Sequence, residues 1–226
     1  MIAELKEVIL IQPKQRLEQD RTSLRQKRRI EIIEATTAVF ARQGFEQTTM
    51  QEIANEAILG VATIFRYFPK KEHLIVEVAA NIVHSEIEIL QDVLHDEGTC
   101  YEKMERIFDA LVFYHQAHYQ QNSKLIEAFE CYVALSKEPL ENIQVYQDKY
   151  DQLIHLFTEL AHLGEQDGSV RTDMNTVETL ITMINVFGNF SKKMSMLHDT
   201  DAFNTRVDLN QQFNILKTKF LSALKA

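Results

Sequence analysis

The residues predict an all-α protein in two parts: an N-terminal three-helix helix-turn-helix domain and a larger C-terminal helical domain. Three observations carry that prediction. The chain of 226 residues holds six Gly and three Pro, too few for the turns of a β-sandwich or of alternating strands and helices. Apolar side chains recur at spacings of three and four, the period of a helix with one buried face. Charge is divided along the chain: residues 1–75 hold 12 Lys and Arg against 10 Asp and Glu, a net +2, and residues 76–226 hold 12 against 23, a net −11. The two parts therefore present different surfaces, and a polyanion would bind the first and be repelled by the second.

Residues 1–21 are weakly amphipathic, are interrupted by Pro13 and read as a flexible, basic-ended arm. From Lys14 to Arg29 there are seven basic residues and two acidic ones, a local +5. The ordered domain spans 22–72. Ile32, Ala35, Thr36, Val39 and Phe40 make one stripe of its first helix, and Gly44 ends that helix as a C-cap glycine does. Thr49 followed by Glu52 has the spacing of a capping box, and Met50, Ile53, Ala54 and Ala57 form the buried side of the short helix it opens. Ile58, Leu59 and Gly60 leave length for a tight turn alone. Val61, Ile64, Phe65 and Phe68 then form the inner stripe of a second short helix, with Ala62, Thr63, Arg66 and Tyr67 on its outer face. Pro69 breaks it, so Lys70 and Lys71 begin the next helix, where free amides and two ammonium groups attract phosphate.

A two-turn helix, a short turn and a helix with a small, hydroxylated, cationic and aromatic outer face make a helix-turn-helix, whose second helix suits a DNA major groove. Ala62 and Thr63 are small enough to approach base edges, Arg66 reaches guanine or phosphate, and Tyr67 offers a hydroxyl to the backbone. Arg25, Lys27 and Arg28 in the basic stretch are further candidate contacts to double-stranded DNA.

Here the sequence resembles the TetR family of repressors. The resemblance runs from Ile32 to Leu74 through Ala35, Phe40, Gly44, Phe45, Thr48, Thr49, Ile53, Ala54, Ala57, Thr63, Ile64, Tyr67, Phe68, Lys71 and Glu72. It implies that Thr49, Thr63, Tyr67 and Lys71 contact the DNA backbone, and that Gln51, Val61 and Ala62 stand where family members often meet bases. It also implies repression of an operator. Three positions depart from the family pattern: Ile58 stands where Gly is usual, Gly60 where Ser or Thr is, and Phe65 where Tyr is. A β-branched residue held left-handed is strained by about 1–2 kcal/mol, so this turn is either strained or differently shaped.

The second domain spans 73–226. A helix from Lys71 to about Leu94 carries Leu74, Val78, Ile82 and Ile89 along one side and leaves the first domain for the second. Further helices are expected at about 101–120, 123–136, 139–165, 174–198 and 205–225. The helix from Met174 to Leu197 is apolar on two sides, with Val177, Ile181, Ile184 and Gly188 on one. The last helix carries Leu209, Phe213, Leu216, Phe220 and Leu224 near a heptad seam. These two helices suggest a homodimer interface of Val177, Ile181, Ile184, Gly188, Phe213, Leu216 and Phe220, built as a four-helix bundle, which is how the resembled family dimerises. Phe108, Leu111, Tyr114, His115, Phe129, Tyr132, Phe157, Met183 and Phe187, with Asn185, are candidates for lining a small-molecule cavity. Ordinary core packing is the competing reading of the same aromatics.

Cys100 and Cys131 stand thirty-one residues apart with no second Cys close to either, so neither a disulfide framework nor a zinc knuckle is indicated and a reducing cytoplasm fits. No signal peptide or membrane span is apparent. His115 and His118 are three apart on a helix, but no matched Cys or carboxylate completes a metal set. No nucleophilic triad, phosphate-binding glycine loop or dinucleotide fingerprint is present, so neither an enzyme nor a cofactor is expected. The leading expectation is a ligand-released transcription repressor. The alternative is a DNA-binding organiser of the same fold without a small-molecule ligand.

Overall fold

The computed structural model describes residues 13–116, 120–197 and 208–226. Within them the chain forms α1 (Pro13–Gln47), α2 (Met50–Glu56), α3 (Val61–Tyr67), α4 (Lys71–His95), α5 (Cys100–Gln116), α6 (Gln120–Leu135), α7 (Gln144–Asp167), α8 (Thr176–Leu197) and α9 (Leu209–Leu224). The all-α expectation holds, and an isolated bridge between Val170 and Lys225 is the single β-type pairing among the described residues.

The arm expected over 1–21 is helical from Pro13 onward, and residues 1–12 lie outside the described residues. Pro13 sits at the first helical position, where its missing N–H was going to be unpaired anyway, and the Gln, Glu, Arg and Leu that follow are strong helix formers. Helical geometry breaks at Gly44, with φ 77° and ψ 173°, where the C-cap glycine was expected. Thr48 then returns its hydroxyl to the Gly44 carbonyl at 2.7 Å.

Two apolar clusters build the interior. The first joins α1 to α4 through Ile32, Phe40, Ile53, Ile64, Phe68 and Leu74, and it continues into Leu125 and Phe129 of α6 and Leu140 of the α6–α7 connection. The helix-turn-helix domain therefore shares its core with the larger domain. Seven consecutive residues of α4, Leu74 to Ala80, are buried because helices surround this stretch on all sides. Glu77 among them pairs with Arg29 of α1, whose guanidinium also lies 4.8 Å from the Phe68 ring centroid. The second cluster joins the end of α4 to α5, α7, α8 and α9 through Met104, Phe108, Phe157, Leu160, Phe187 and Leu224. Arg171 donates its amide to the Leu224 carbonyl at 2.9 Å and fastens the end of α9 to the α7–α8 connection.

Candidate nucleic-acid interface and an internal cavity

The capping box forms as expected: Glu52 N donates to Thr49 Oγ1 at 3.2 Å, and Thr49 N donates to Glu52 Oε2 at 2.8 Å. Ile58 does take a positive φ, 55°, and is 90% exposed. Its neighbour Leu59 closes the turn by donating its amide to the Ala54 carbonyl at 2.9 Å. On α3, Ile64 and the following Phe68 fill the core, whereas Phe65, expected on the inner stripe, is 46% exposed. Two buried positions four apart are enough to anchor a helix of two turns, and position 65 rotates out of that face. Ala62 and Arg66 are exposed beside it, with Val61, Thr63 and Tyr67 half-buried.

The extended α1 changes the character of the interface. Arg21, Arg25 and Arg28, spaced four and three apart on one helix face, meet Arg66 and Tyr67 of α3 around one groove of about 590 Å³. The Arg66 guanidinium stands 5.8 Å from the Tyr67 ring centroid. Arg28 also pairs with Glu31 at 2.9 Å, and both side chains are exposed. Lys27 is exposed on the same helix. Arg21 was not anticipated, because reading residues 1–21 as a flexible arm hid the helical spacing that aligns it with Arg25 and Arg28.

Two residues expected to meet phosphate are engaged within the protein. Lys71 Nζ donates to the Phe45 and Thr48 carbonyls at 2.7 and 2.9 Å. The break at Gly44 leaves carbonyls without helical partners, and an ammonium group satisfies them. Lys70 pairs with Glu141 of the α6–α7 connection, which also accepts from His73 Nε2 at 3.1 Å. That Lys70 hydrogen bond holds the Glu141 carboxyl below its usual range. Gln51 is exposed and donates to Asn55 Oδ1 at 3.0 Å.

In the larger domain a cavity of about 350 Å³ opens between α4, α5, α6, α7 and α8. Leu111, Ile126 and Leu153 contribute apolar wall, and Glu86, Tyr150 and Lys192 contribute polar groups. The Lys192 ammonium lies 2.5 Å from Glu130 and 3.3 Å from Glu127. Glu86 retains some exposed surface, but desolvation of its carboxyl pushes its pKa up to about 7, against the opposing pull of Lys192. Burial likewise raises Tyr146, also in the lining, to about 12.

Of the residues expected to line a cavity, Leu111 and the polar Asn185 do so. Phe108, Phe157, Met183 and Phe187 pack solidly in the second cluster, with the Phe108 and Phe187 rings 4.7 Å apart. Phe129 packs on Tyr146 at 4.7 Å, and Tyr132 meets Phe45 of the first domain edge-on at 6.3 Å. The side chains of Tyr114 and His115, and the whole of His118, lie outside the described residues. Glu86, Tyr146, Tyr150 and Lys192 were missed. A signal existed for Glu86, which stands three residues after Val83 and four before Leu90, on a buried face of α4.

The seam expected at a dimer interface turns partly inward. Phe213 is 5% exposed, its ring 5.2 Å from Phe190 and 6.0 Å from Phe187 of the same chain. Val177, Ile181, Ile184, Leu216 and Phe220 are half-buried against the same cluster. Gly188 leaves open space where a Cβ would stand. The exposed large apolar residues on α8 and α9 are Val186, at 47%, and Ile215, at 61%.

Residues 32–78 match the family model described as bacterial regulatory proteins, tetR family. The HTH-type transcriptional repressor KstR of Rhodococcus jostii is 42% identical over 64 residues, which are 28% of this chain and 30% of that protein. The match thus spans less than a third of that relative's length. The HTH-type transcriptional repressor KstR2 of the same organism is 25% identical over 167 residues, 69% of this chain and 74% of the relative. Among solved structures, the fatty acid degradation regulator FadR from Bacillus halodurans superposes with a TM-score of 0.66 at 16% identity, covering 85% of this chain and 94% of that one.

Proposed function

Because residues 32–78 match the family model described as bacterial regulatory proteins, tetR family, we propose that the chain is a homodimeric repressor of that family that binds operator DNA and is released from it by a small amphipathic ligand. Its homologues and fold are those of transcriptional regulators, not enzymes. The observation that carries the reading is the groove at which Arg21, Arg25, Arg28 and Arg66 converge on Tyr67, beside the exposed face of α3. Four guanidinium groups on two rigid helices suit the phosphates flanking a major groove, because each can hold a phosphate bidentately while α3 presents Ala62 and Thr63 to the bases. The acidic remainder keeps DNA on this face alone.

The ligand part of the reading is supported by the cavity, whose volume is at the lower end of the range for small-molecule sites. Dimerisation is supported by Val186 and Ile215, exposed apolar residues on the two last helices. Each protomer would supply one α3, and the pair would enter successive major grooves about 34–36 Å apart or one further helical turn away.

The test is DNA affinity as a function of salt. The protein is titrated with a random-sequence duplex and with fragments from upstream of its own gene, alongside R25A/R28A/R66A. The reading expects salt-sensitive binding whose log-log slope falls in magnitude by about three in the triple variant, close to one for each phosphate no longer held by a guanidinium. A chain that binds no duplex at low salt, or a variant with an unchanged slope, would refute it.

A further inference from the structure

The cavity of the larger domain has an uneven charge. Its lining carries the carboxylates of Glu86 and Glu130 and the ammonium of Lys192. Lys192 is already committed, at 2.5 Å to Glu130 and 3.3 Å to Glu127. Glu86 has no hydrogen bond or ion pair among the described residues, although its carboxyl is desolvated and borders the open space. A carboxylate in that position costs free energy unless a cation meets it. The rings of Tyr146 and Tyr150, 6.3 Å apart and stacked, complete this end of the cavity. Tyrosine rings lining a cavity favour a cation that displaces water and reaches a ring face.

An anionic ligand fits poorly. It would approach two carboxylates, and the cation within reach among the described residues is the one held by Glu127 and Glu130. A wholly apolar ligand would leave Glu86 facing hydrocarbon. A molecule with an ammonium group and a short apolar body satisfies both ends, its nitrogen at Glu86 and its body along Leu111, Ile126 and Leu153.

We propose that the cavity selects cationic amphiphiles, primary amines with a short apolar chain, and that Glu86 is the residue that binds the ammonium group. This inference rests on the reading of the cavity as the effector site, but its test requires no DNA.

The full-length protein is titrated calorimetrically with octylamine, octanol and octanoate, probes of one chain length that differ in head group. Octylamine is expected to bind at least tenfold more tightly than either of the others. E86Q is expected to lose that preference, with its fold checked by circular dichroism. If E86Q fails to fold, the wild-type protein still decides the matter through pH. An alkylammonium stays protonated between pH 6 and 8, as a lysine does. Glu86, titrating near 7, goes from about one-tenth to about nine-tenths ionised over that interval, so octylamine affinity should rise by about tenfold. Among the described residues, the charged and titratable groups that line the cavity with it are Glu130 from α6, Tyr146 and Tyr150 from α7 and Lys192 from α8. Equal binding of the three probes, tighter binding of octanoate, a pH-independent affinity for octylamine or no binding of any probe would each overturn the proposal. None of those results bears on the salt-dependent DNA test, so a failure here leaves the repressor reading standing, and a failure there leaves this site standing.

Discussion

Ile58→Gly should leave the protein as stable as it is or make it more stable, although it removes a large apolar side chain. Ile58 holds φ at 55° and is 90% exposed, so its side chain buries almost nothing that the substitution would forfeit. The left-handed conformation brings a β-branched Cβ too close to the following carbonyl, at a cost of about 1–2 kcal/mol. Glycine removes that strain but adds freedom to the unfolded chain, worth about 0.4–1 kcal/mol. The net gain is therefore between about zero and 1.5 kcal/mol. In a chain of this length each kcal/mol moves the melting midpoint by about 2–4 °C, so the variant should melt at the wild-type temperature or up to about 6 °C above it. The helix-turn-helix shares its core with α6, so unfolding of the turn reports through the whole transition. Thermal melts followed by far-ultraviolet circular dichroism measure this, with Ile58→Ala as the control, since alanine keeps the positive φ and gains less. A midpoint more than about 2 °C below wild type for Ile58→Gly would show that Ile58 packs against something and that the strain argument fails.

Lys71→Ala should act on stability, because its ammonium satisfies the Phe45 and Thr48 carbonyls. A loss of about 1.5–3 kcal/mol is expected from hydrogen bonds to a charged donor, and a stable variant with a reduced DNA salt slope would instead return Lys71 to the phosphate backbone. Val186→Asp and Ile215→Asp should give folded monomers in sedimentation, whereas Phe213→Asp should lower the melting midpoint by burying a charge in the protomer's own core. Dimers of undiminished affinity from both surface variants would move the interface elsewhere. For Glu86 the folded carboxyl titrates near 7 and the ordinary one at 4.5, so the folded state binds the extra proton, and stability falls as pH rises through that window and is constant above it. Glu86→Gln removes the penalty: it should match wild type in urea melts at pH 4.5 and exceed it by up to about 3 kcal/mol at pH 8, and a pH-independent difference would contradict the desolvation.

Much of the fold was legible because a helix records its buried face in its own sequence. The stripe through Ile32, Thr36, Val39 and Phe40, the Thr49–Glu52 box and the Ile58 turn are local features, decided by residues within about one or two turns of one another. A second box, Thr99 with Glu102, opens α5 with the same spacing and was equally readable. What periodicity cannot say is which element covers a given face. Phe213 sits on an apolar stripe whether a second chain or α8 of the same chain fills the space, and it is Phe187 and Phe190 that do so. The same holds for lysines: Lys70 and Lys71 look alike as surface cations, yet one finds Glu141 seventy-one residues away and the other finds carbonyls freed by a glycine. The cavity was the least legible part, because it lies where five helices fail to close. Phe108, Phe157 and Phe187, expected to line it, are large enough to fill the rest of the core instead.

The long-range contacts also change where a signal between the two sites would travel. The sequence pointed to α4, which leaves the recognition helix and enters the larger domain. The structure adds a second connection through α6 and the segment that follows it. Glu130 and Ile126 of α6 line the cavity, and Tyr132, two residues past Glu130, meets Phe45 of the helix-turn-helix domain. On the far side of the α6–α7 connection, Tyr146 lines the same cavity and packs on Phe129. Between these two sits Glu141, whose carboxylate holds Lys70 and His73 and whose amide donates to Glu72. Lys70 is the N-cap of α4 and Glu72 and His73 stand in its first turn, directly after Pro69 and α3. Under the proposed ligand release, a ligand that moved α6 against α7 would move the grip on the base of α3 without first having to bend α4. Coupling by this route obeys the same reciprocity as any other: the factor by which a ligand weakens operator binding is the factor by which the operator weakens the ligand. Under the proposed ligand release, the energy that sets that factor would lie in how differently the Glu141 contacts and the Phe45–Tyr132 contact are made with and without ligand, not in the strength of either site alone.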